Sequence, residues 1–336
     1  MKMIKKILFW KLSIQFSLVT TIRNFLYNIG ILKSFEFKIP IISVGNLVLG
    51  GSGKTPTIEY LIRLLSKKYK IAVLSRGYGR KSRGFILADN SSDASLIGDE
   101  PMQYFRKFKN IVVSVDSNRV RGIKKLINLN TKPELVLLDD AFQHRRVKTG
   151  ISILLTDYDK LYVNDNIFPL GNLRESIENA NRADIIVVTK CHKNISENDK
   201  IQVIQKLNVS ENQEIYFSSI KYSNILHNKE TTSPISEFMN KKFTLVTGIA
   251  NSSHLINYLN DSGYNFNHIS FKDHHDYSDS DIKNINSNDL IITTEKDYVK
   301  LYNKITSKLY YLPIEFEIDN KEDFNKKISD YIQANS

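Results

Sequence analysis

Cysteine is almost absent from this chain. A single one, Cys191, stands among 336 residues. No internal disulfide can staple the fold, no cysteine cluster can hold zinc, and a reducing compartment is the natural setting. Acidic residues are missing from the N-terminus: none precedes Glu36, whereas Lys2, Lys5, Lys6, Lys11, Arg23 and Lys33 all do. Long uncharged apolar runs are missing as well. Lys11 and Arg23 interrupt the N-terminal hydrophobic stretch, which therefore falls short of the roughly 20 apolar residues that cross a bilayer. No small-residue cleavage signature of a signal peptide follows it. There is no internal repeat.

What the N-terminus does contain is an amphipathic pattern. Ile7-Leu8-Phe9-Trp10, Leu12, Ile14, Phe16, Leu18, Val19, Ile22, Phe25, Leu26 and Ile29 form a wide apolar face at helical spacing, with Ser13, Ser17, Thr20, Asn24 and Asn28 on one narrow side. Such a segment, flanked by cations, suits a helix lying in a membrane interface. The plainer alternative is a helix packed on the protein's own core. A net charge of +11 favours anionic partners generally. Nucleic acid is not expected, because the basic residues cluster with apolar ones at the N-terminus and not along an aromatic stacking surface.

The most informative segment is Ile42–Pro56. An apolar run enters a glycine-rich turn, Gly50-Gly51-Ser52-Gly53-Lys54-Thr55-Pro56, and an apolar-periodic helix follows (Ile58, Leu61, Leu64, Leu65). Glycines let backbone N–H groups close around phosphate oxygens, and the helix points its positive end at them. Lys54 is expected at the β- and γ-phosphates and the Thr55 hydroxyl on magnesium. The strict P-loop pattern opens with Gly, and Val48 stands there. A nucleoside triphosphate with Mg2+ is the expected ligand.

Continuous β-branched runs at Ile41–Val44, Ile71–Leu74, Ile111–Val115, Leu135–Leu138, Ile151–Leu155 and Ile185–Val188 alternate with helical segments. This predicts an α/β fold: a P-loop NTPase-like, doubly wound, mostly parallel sheet. A second alternation begins near Lys242 and predicts a smaller α/β domain. The expected division is an interfacial helix over 1–35, a P-loop core domain over 36–210, a linker over 211–240 and a smaller domain over 241–336.

Several loops fall at the carboxyl ends of these strands, where doubly wound sheets bind ligands. Asp139 and Asp140 end the Leu135 strand, and one of them is expected to reach the metal. Gln143 and His144 follow at the same edge. Arg76 and Arg80 lie among glycines and suit phosphate contact or a solvated turn. Asp99 precedes a helix and by itself reads best as an N-cap. Arg174 and Glu175 share a loop. Phe271–Tyr277 puts His274 and His275 among carboxylates, too sparse a set for a metal site. Thr294-Glu295-Lys296-Asp297 resembles a base-reading loop only loosely.

Taken together, Gly45-Asn46 with the Gly50–Pro56 loop, Ser75–Arg80, Gly98-Asp99-Glu100-Pro101, Leu138–His144, Pro169–Glu175, Phe271–His275 and Thr294–Asp297 resemble the tetraacyldisaccharide 4'-kinase family, in that family's order over roughly residues 40–300. Ala141 stands where Gly is usual and Asn172 where Pro is frequent. The resemblance implies transfer of the ATP γ-phosphate to the 4'-hydroxyl of an acylated glucosamine disaccharide 1-phosphate, giving lipid IVA. It implies two α/β/α domains joined by a two-stranded linker, and a peripheral place on the cytoplasmic face of the inner membrane. It makes Asp99 the catalytic base and His274 its partner across the cleft. Asn46, Arg76, Arg80, Gln143, His144, Arg174 and Glu175 are then expected at the acceptor, and Glu295 and Lys296 at the nucleotide. The competing expectation is a membrane-tethered nucleotide switch. No threonine-bearing switch loop is evident, and the Gly98–Pro101 and Phe271–Tyr277 clusters would be idle in one.

Overall fold

Every residue of the strand Ile41–Asn46 is buried, the polar Ser43 and Asn46 included, as suits a central strand covered on both faces. A computed structural model describes residues 2–335, with side chains from Ile7 onward. The side chains of Lys2, Lys5 and Lys6 lie outside the described residues. Among those described, nine strands form one sheet, ordered Ile314–Ile318, Glu214–Tyr222, Ile185–Thr189, Ile151–Asp157, Ile41–Asn46, Leu135–Asp139, Ile71–Ser75, Val112–Val115 and Ile86–Leu87. The two edge strands run antiparallel and the strands between them run parallel. Ile41–Asn46 lies at the centre, with Val44 beside Asp139 in register. The glycine-rich turn and the diacidic strand end therefore open at one edge.

A second sheet has six strands among the described residues, ordered Thr232–Pro234, Ile225–His227, Lys308–Leu312, Leu290–Thr294, Phe243–Thr247 and Phe266–Ser270. The helices Ser253–Asp261, Asp279–Asn286 and Glu295–Leu301 accompany it. Two polypeptide strands join the sheets. One passes from Glu214–Tyr222 into Ile225–His227, the other from Lys308–Leu312 into Ile314–Ile318, and Ser223 N donates to Pro313 O at 3.0 Å where they run side by side.

Two expected boundaries differ from this arrangement. Residues 211–240 are not only a linker, because Glu214–Tyr222 pairs in parallel with Ile185–Thr189 in the large sheet. The chain beyond Pro313 does not stay with the smaller domain. Ile314–Ile318 returns to the large sheet, and the helix Lys321–Asn335 buries Phe324, Ile328 and Ile332 in the same core as Ile42, Leu65 and Leu137. These three residues recur at helical spacing on one face, and burying each is worth about 2 kcal/mol. Tyr331 Oη on that helix also accepts from Ile41 N at 3.1 Å.

The N-terminal helix, Lys2–Asn28, sits with its polarity inverted relative to an ordinary surface helix. Its narrow polar side faces the protein: Ser13 is 6% exposed and Asn24 4%. Ser13 Oγ donates to Ile167 O and accepts from Leu170 N, both at 2.9 Å. Its apolar face points outward, with Trp10 55% and Val19 65% exposed alongside Ile7, Leu8, Leu18, Ile22 and Phe25. Packing of the apolar face on the protein's own core is thereby excluded. No helix among the described residues is long and apolar enough to cross a membrane.

Candidate active site between the two sheets

The P-loop begins at Gly45, where a Cβ would lie 2.7 Å from Phe142 N, so only glycine fits. Gly50 and Gly53 hold φ of 114° and 84°, a region that strains other residues. Val48, which breaks the strict motif, forms a bridge with Leu173, and Leu49 N donates to Asn172 O at 2.8 Å. The first half of the loop is thus clamped to the Pro169–Glu175 loop. Thr189 Oγ1 donates to Ser52 O at 3.0 Å, and Lys190 Nζ donates to Gly51 O. Ser52 Oγ is buried with no hydrogen-bond partner among the described residues. A spare hydroxyl in a glycine-rich cradle fits a phosphate ligand.

Lys54, at the start of the helix Lys54–Leu65, reaches Asn46 Oδ1 at 3.4 Å and Asp140 Oδ1 at 3.6 Å. Asn46 Nδ2 donates to Val48 O at 2.6 Å, so Asn46 braces the loop it precedes. Asp140 also accepts from Arg174 at 2.8 Å. Burial pushes the Asp140 carboxyl upward, but Lys54 and Arg174 outweigh it and hold the group at about 2. Asp139 is buried and accepts from Ser75 Oγ at 3.0 Å. Burial, with Glu100 and Asp140 as neighbouring carboxylates, pushes it up to about 6. Arg119 holds the Asp139 backbone carbonyl at 2.8 Å.

Glu175, expected at the acceptor, is 1% exposed and serves as an internal hub. It accepts from Arg182 at 2.6 Å, Asn24 at 2.7 Å and Gln143 at 3.2 Å. Gln143 in turn donates to Asn46 O at 2.8 Å, so a chain of hydrogen bonds runs from the N-terminal helix to the P-loop. Burial and the neighbouring Arg119 push the His144 imidazole down to about 4, which keeps it neutral near pH 7. Arg76 and Arg80 line a cavity of about 530 Å³ with Tyr78, Arg83 and Ser117.

Asp99 starts the helix Asp99–Lys107 and is 7% exposed. It is not the N-cap; Gly98 is, with φ of 92° and a Cβ position only 3.0 Å from Gly77 Cα. That close approach sets the Arg76–Arg80 loop against Asp99. Across the cleft, His274 Nδ1 meets Asp99 Oδ2 at 3.0 Å. His274 adopts φ of 56° and packs on Tyr78, ring centroids 4.8 Å apart. Its neighbour turns away: His275 Nε2 pairs with Asp281 at 3.0 Å and its ring stacks on Phe271. No cluster of three or more metal-ligating His, Cys, Asp or Glu residues occurs among the described residues.

The Thr294–Asp297 segment turns its last carboxylate inward. Asp297 is buried and accepts from Thr294 Oγ1, Gly248 N and Tyr277 Oη. Lys296, expected at the nucleotide, meets Asp273 at 2.9 Å and His274 Nε2 at 3.0 Å. Glu295, also expected there, is instead buried against Lys107 at 2.7 Å, and Lys107 also holds Glu59 at 2.8 Å. These three charges stitch the smaller domain to the P-loop helix. Local sequence could not show this, because the three sit on three separate helices.

Burial and the facing Glu59 raise the Glu295 carboxyl to about 7. An acid raised in the fold destabilises it while ionised. The penalty is absent below the ordinary carboxylate range and grows as pH rises to about 7. Glu295→Gln removes this titration. The melting temperature of the wild type, relative to the variant, should therefore fall between about pH 4.5 and 7 and stay level above. Parallel melting curves across that range would show that Glu295 does not titrate in the fold.

Comparison with known proteins agrees with this geometry. The family model for LpxK, tetraacyldisaccharide-1-P 4'-kinase, matches residues 5–333. A tetraacyldisaccharide 4'-kinase of Flavobacterium johnsoniae is 49% identical, covering 100% of this chain and 99% of that protein. One from Bacteroides thetaiotaomicron is 44% identical over 95% of this chain and 91% of its own length. The solved structure of the "apo" form of LpxK from Aquifex aeolicus in complex with ATP superposes with a TM-score of 0.78 at 27% identity, covering 96% and 98% of the two chains. With the whole chain matched and the P-loop, diacidic strand end and cross-domain Asp–His pair in place, this protein belongs to the tetraacyldisaccharide 4'-kinase family.

Proposed function

We propose that this chain transfers the γ-phosphate of ATP to the 4'-hydroxyl of tetraacyldisaccharide 1-phosphate, giving lipid IVA in lipid A biosynthesis. The observation that carries the reading is the 3.0 Å contact of Asp99 with His274, joining the two domains beside the P-loop. Asp99 is the base that takes the hydroxyl proton. Burial works against its ionised form, but the His274 hydrogen bond and the charge of Lys300 outweigh it and hold the carboxyl below its ordinary range. It is therefore charged and ready to accept near neutral pH. His274 orients it. Gly50, Gly51, Ser52, Gly53, Lys54, Thr55 and Pro56 form the nucleotide cradle, and Lys54 neutralises charge on the transferring phosphoryl group. Arg76, Arg80, His144 and Arg174 face the anionic acceptor. Asn46, Gln143 and Glu175 act behind them as braces.

Magnesium fits the donors at this edge, since it takes one or two carboxylates, phosphate oxygens and water. Thr55 and Asp139 would hold it. Asp140, already paired with Lys54 and Arg174, would anchor those cations. When bound, the ion supplies positive charge to the phosphate oxygens.

The reading is tested by ADP release with ATP or GTP, with and without the acylated disaccharide 1-phosphate. Release that requires both ATP and the acceptor supports it. Slow hydrolysis indifferent to the acceptor, with GTP preferred, would favour the nucleotide switch.

The outward apolar face of the N-terminal helix would seat the enzyme peripherally on the cytoplasmic face of the inner membrane, where its lipid acceptor lies. The exposed aromatic and aliphatic side chains supply burial, and Lys11 and Lys33 supply attraction to anionic headgroups. Trp10→Glu combined with Val19→Glu should cut co-sedimentation with anionic vesicles by about tenfold or more. The docking contacts of Ser13 and Asn24 are untouched, so thermal stability should hold. Equal vesicle binding by the two proteins would show that this face is not the membrane contact.

A further inference from the structure

Lys300 was not singled out by any sequence pattern. It lies inside the helix Glu295–Leu301, in the smaller domain. Its ammonium nonetheless meets Asp99 Oδ2 at 2.7 Å, closer than any other cation, and also donates to His275 O at 3.0 Å. His274 Nδ1 approaches the same oxygen. Among the described residues no hydrogen bond reaches Asp99 Oδ1. Lys296 completes the arrangement. An ammonium has only donors, so its 3.0 Å contact makes His274 Nε2 an acceptor and leaves the ring proton on Nδ1, donated to Asp99.

We infer that Lys300 is a positioning residue for the 4'-kinase reaction: with His274 it claims Asp99 Oδ2 and leaves Oδ1 as the oxygen that takes the acceptor's proton. The inference rests on the proposed role of Asp99 as base. In the step itself, the 4'-oxygen bonds to the γ-phosphorus as the bond from that phosphorus to the β–γ bridging oxygen breaks. The hydroxyl proton passes to Oδ1, and the bridging oxygen leaves with ADP. Lys300 exchanges no proton. It fixes which oxygen is free and keeps the carboxylate ionised. Both groups that clasp Oδ2 come from the smaller domain, while Asp99 belongs to the larger one. The base is therefore fully oriented only when the domains meet.

Other groups around Asp99 do not substitute for this contact. Lys296 acts on it at longer range, while being held by Asp273 and Glu100. Tyr277 is committed to Asp297. Glu100 is the neighbouring carboxylate and is paired with Lys296 at 3.4 Å. Removing the Lys300 charge must therefore raise the pH at which Asp99 loses its proton, and lost orientation must slow the chemical step.

The test uses the full-length enzyme with ATP and the acylated disaccharide 1-phosphate across a range of pH. Lys300→Met should lower kcat by about 10- to 100-fold, leave the KM for ATP near that of the wild type, and move the acidic limb of the pH–rate profile upward. Lys300→Arg should restore the limb and much of the rate. In an Asp99→Asn background, Lys300→Met should cost little more, because the lysine acts through that carboxylate. An unmoved acidic limb in an active Lys300→Met enzyme, or full additivity with Asp99→Asn, would overturn the inference. Asp99→Asn turning over at the wild-type rate would instead overturn the role of Asp99 itself. A wild-type enzyme that transfers nothing to the disaccharide would overturn the proposed function.

Discussion

Lys54→Ala is expected to slow phosphoryl transfer by at least about a thousandfold while leaving the fold intact. The lysine opens a helix whose core side chains, Ile58, Leu61, Ile62 and Leu65, are buried and independent of it. Its Nζ lies between Asn46 and Asp140, neither of which would be stranded by its loss. Asn46 keeps its contact with Val48, and Asp140 keeps Arg174. The loss should therefore appear in the reaction and not in circular dichroism or melting temperature. Near-normal turnover by a folded variant would end the assignment of this loop as the phosphate cradle.

The second large effect is expected at the base. Asp99→Asn should lower kcat by about 10³-fold and leave ATP affinity nearly unchanged, since in its proposed role the carboxylate acts only in the chemical step. Asparagine keeps the side chain's shape and can still accept from Lys300. It cannot take a proton from the acceptor hydroxyl. His274→Ala should act in the same direction with smaller size and should shift the pH–rate profile. If both variants weakened ATP binding and left kcat alone, the dyad would be a nucleotide contact and not a proton acceptor.

Much of this site could be read from sequence because its parts are local. The P-loop combines a buried strand, a glycine turn and a helix within some fifteen residues, and each part has its own physical signature. The diacidic end of Leu135–Asp139 was legible for the same reason, and its pairing with Ile41–Asn46 follows from parallel-sheet logic. What stayed hidden depended on distant partners. Glu175 was expected at the acceptor through the resemblance of its loop to the family motif. Its burial comes from Asn24, far away on the N-terminal helix, and from Arg182. Lys300 carried no signal at all, since a lysine within a helix is ordinarily a solvated face. Ile314–Ile318 was assigned with the rest of the C-terminal segment to the smaller domain, and nothing local said that it returns to the large sheet. The N-terminal stripe of Ser13 and Asn24 could be drawn on a helical wheel. Only the contacts with Ile167, Leu170 and Glu175 decided that this stripe faces inward.

The central claim is that the cleft between the two sheets phosphorylates a sugar hydroxyl of an acylated acceptor. The most direct measurement is the fate of the γ-phosphate. Wild-type and Asp99→Asn enzymes are incubated with γ-labelled ATP, magnesium and acylated disaccharide 1-phosphate in mixed micelles, and the product is mapped by phosphorus NMR. The expected result is one new phosphate monoester at the 4'-position with the wild type and almost none with Asp99→Asn. Label released only as inorganic phosphate, label at another hydroxyl, or equal 4'-product from both enzymes would contradict it.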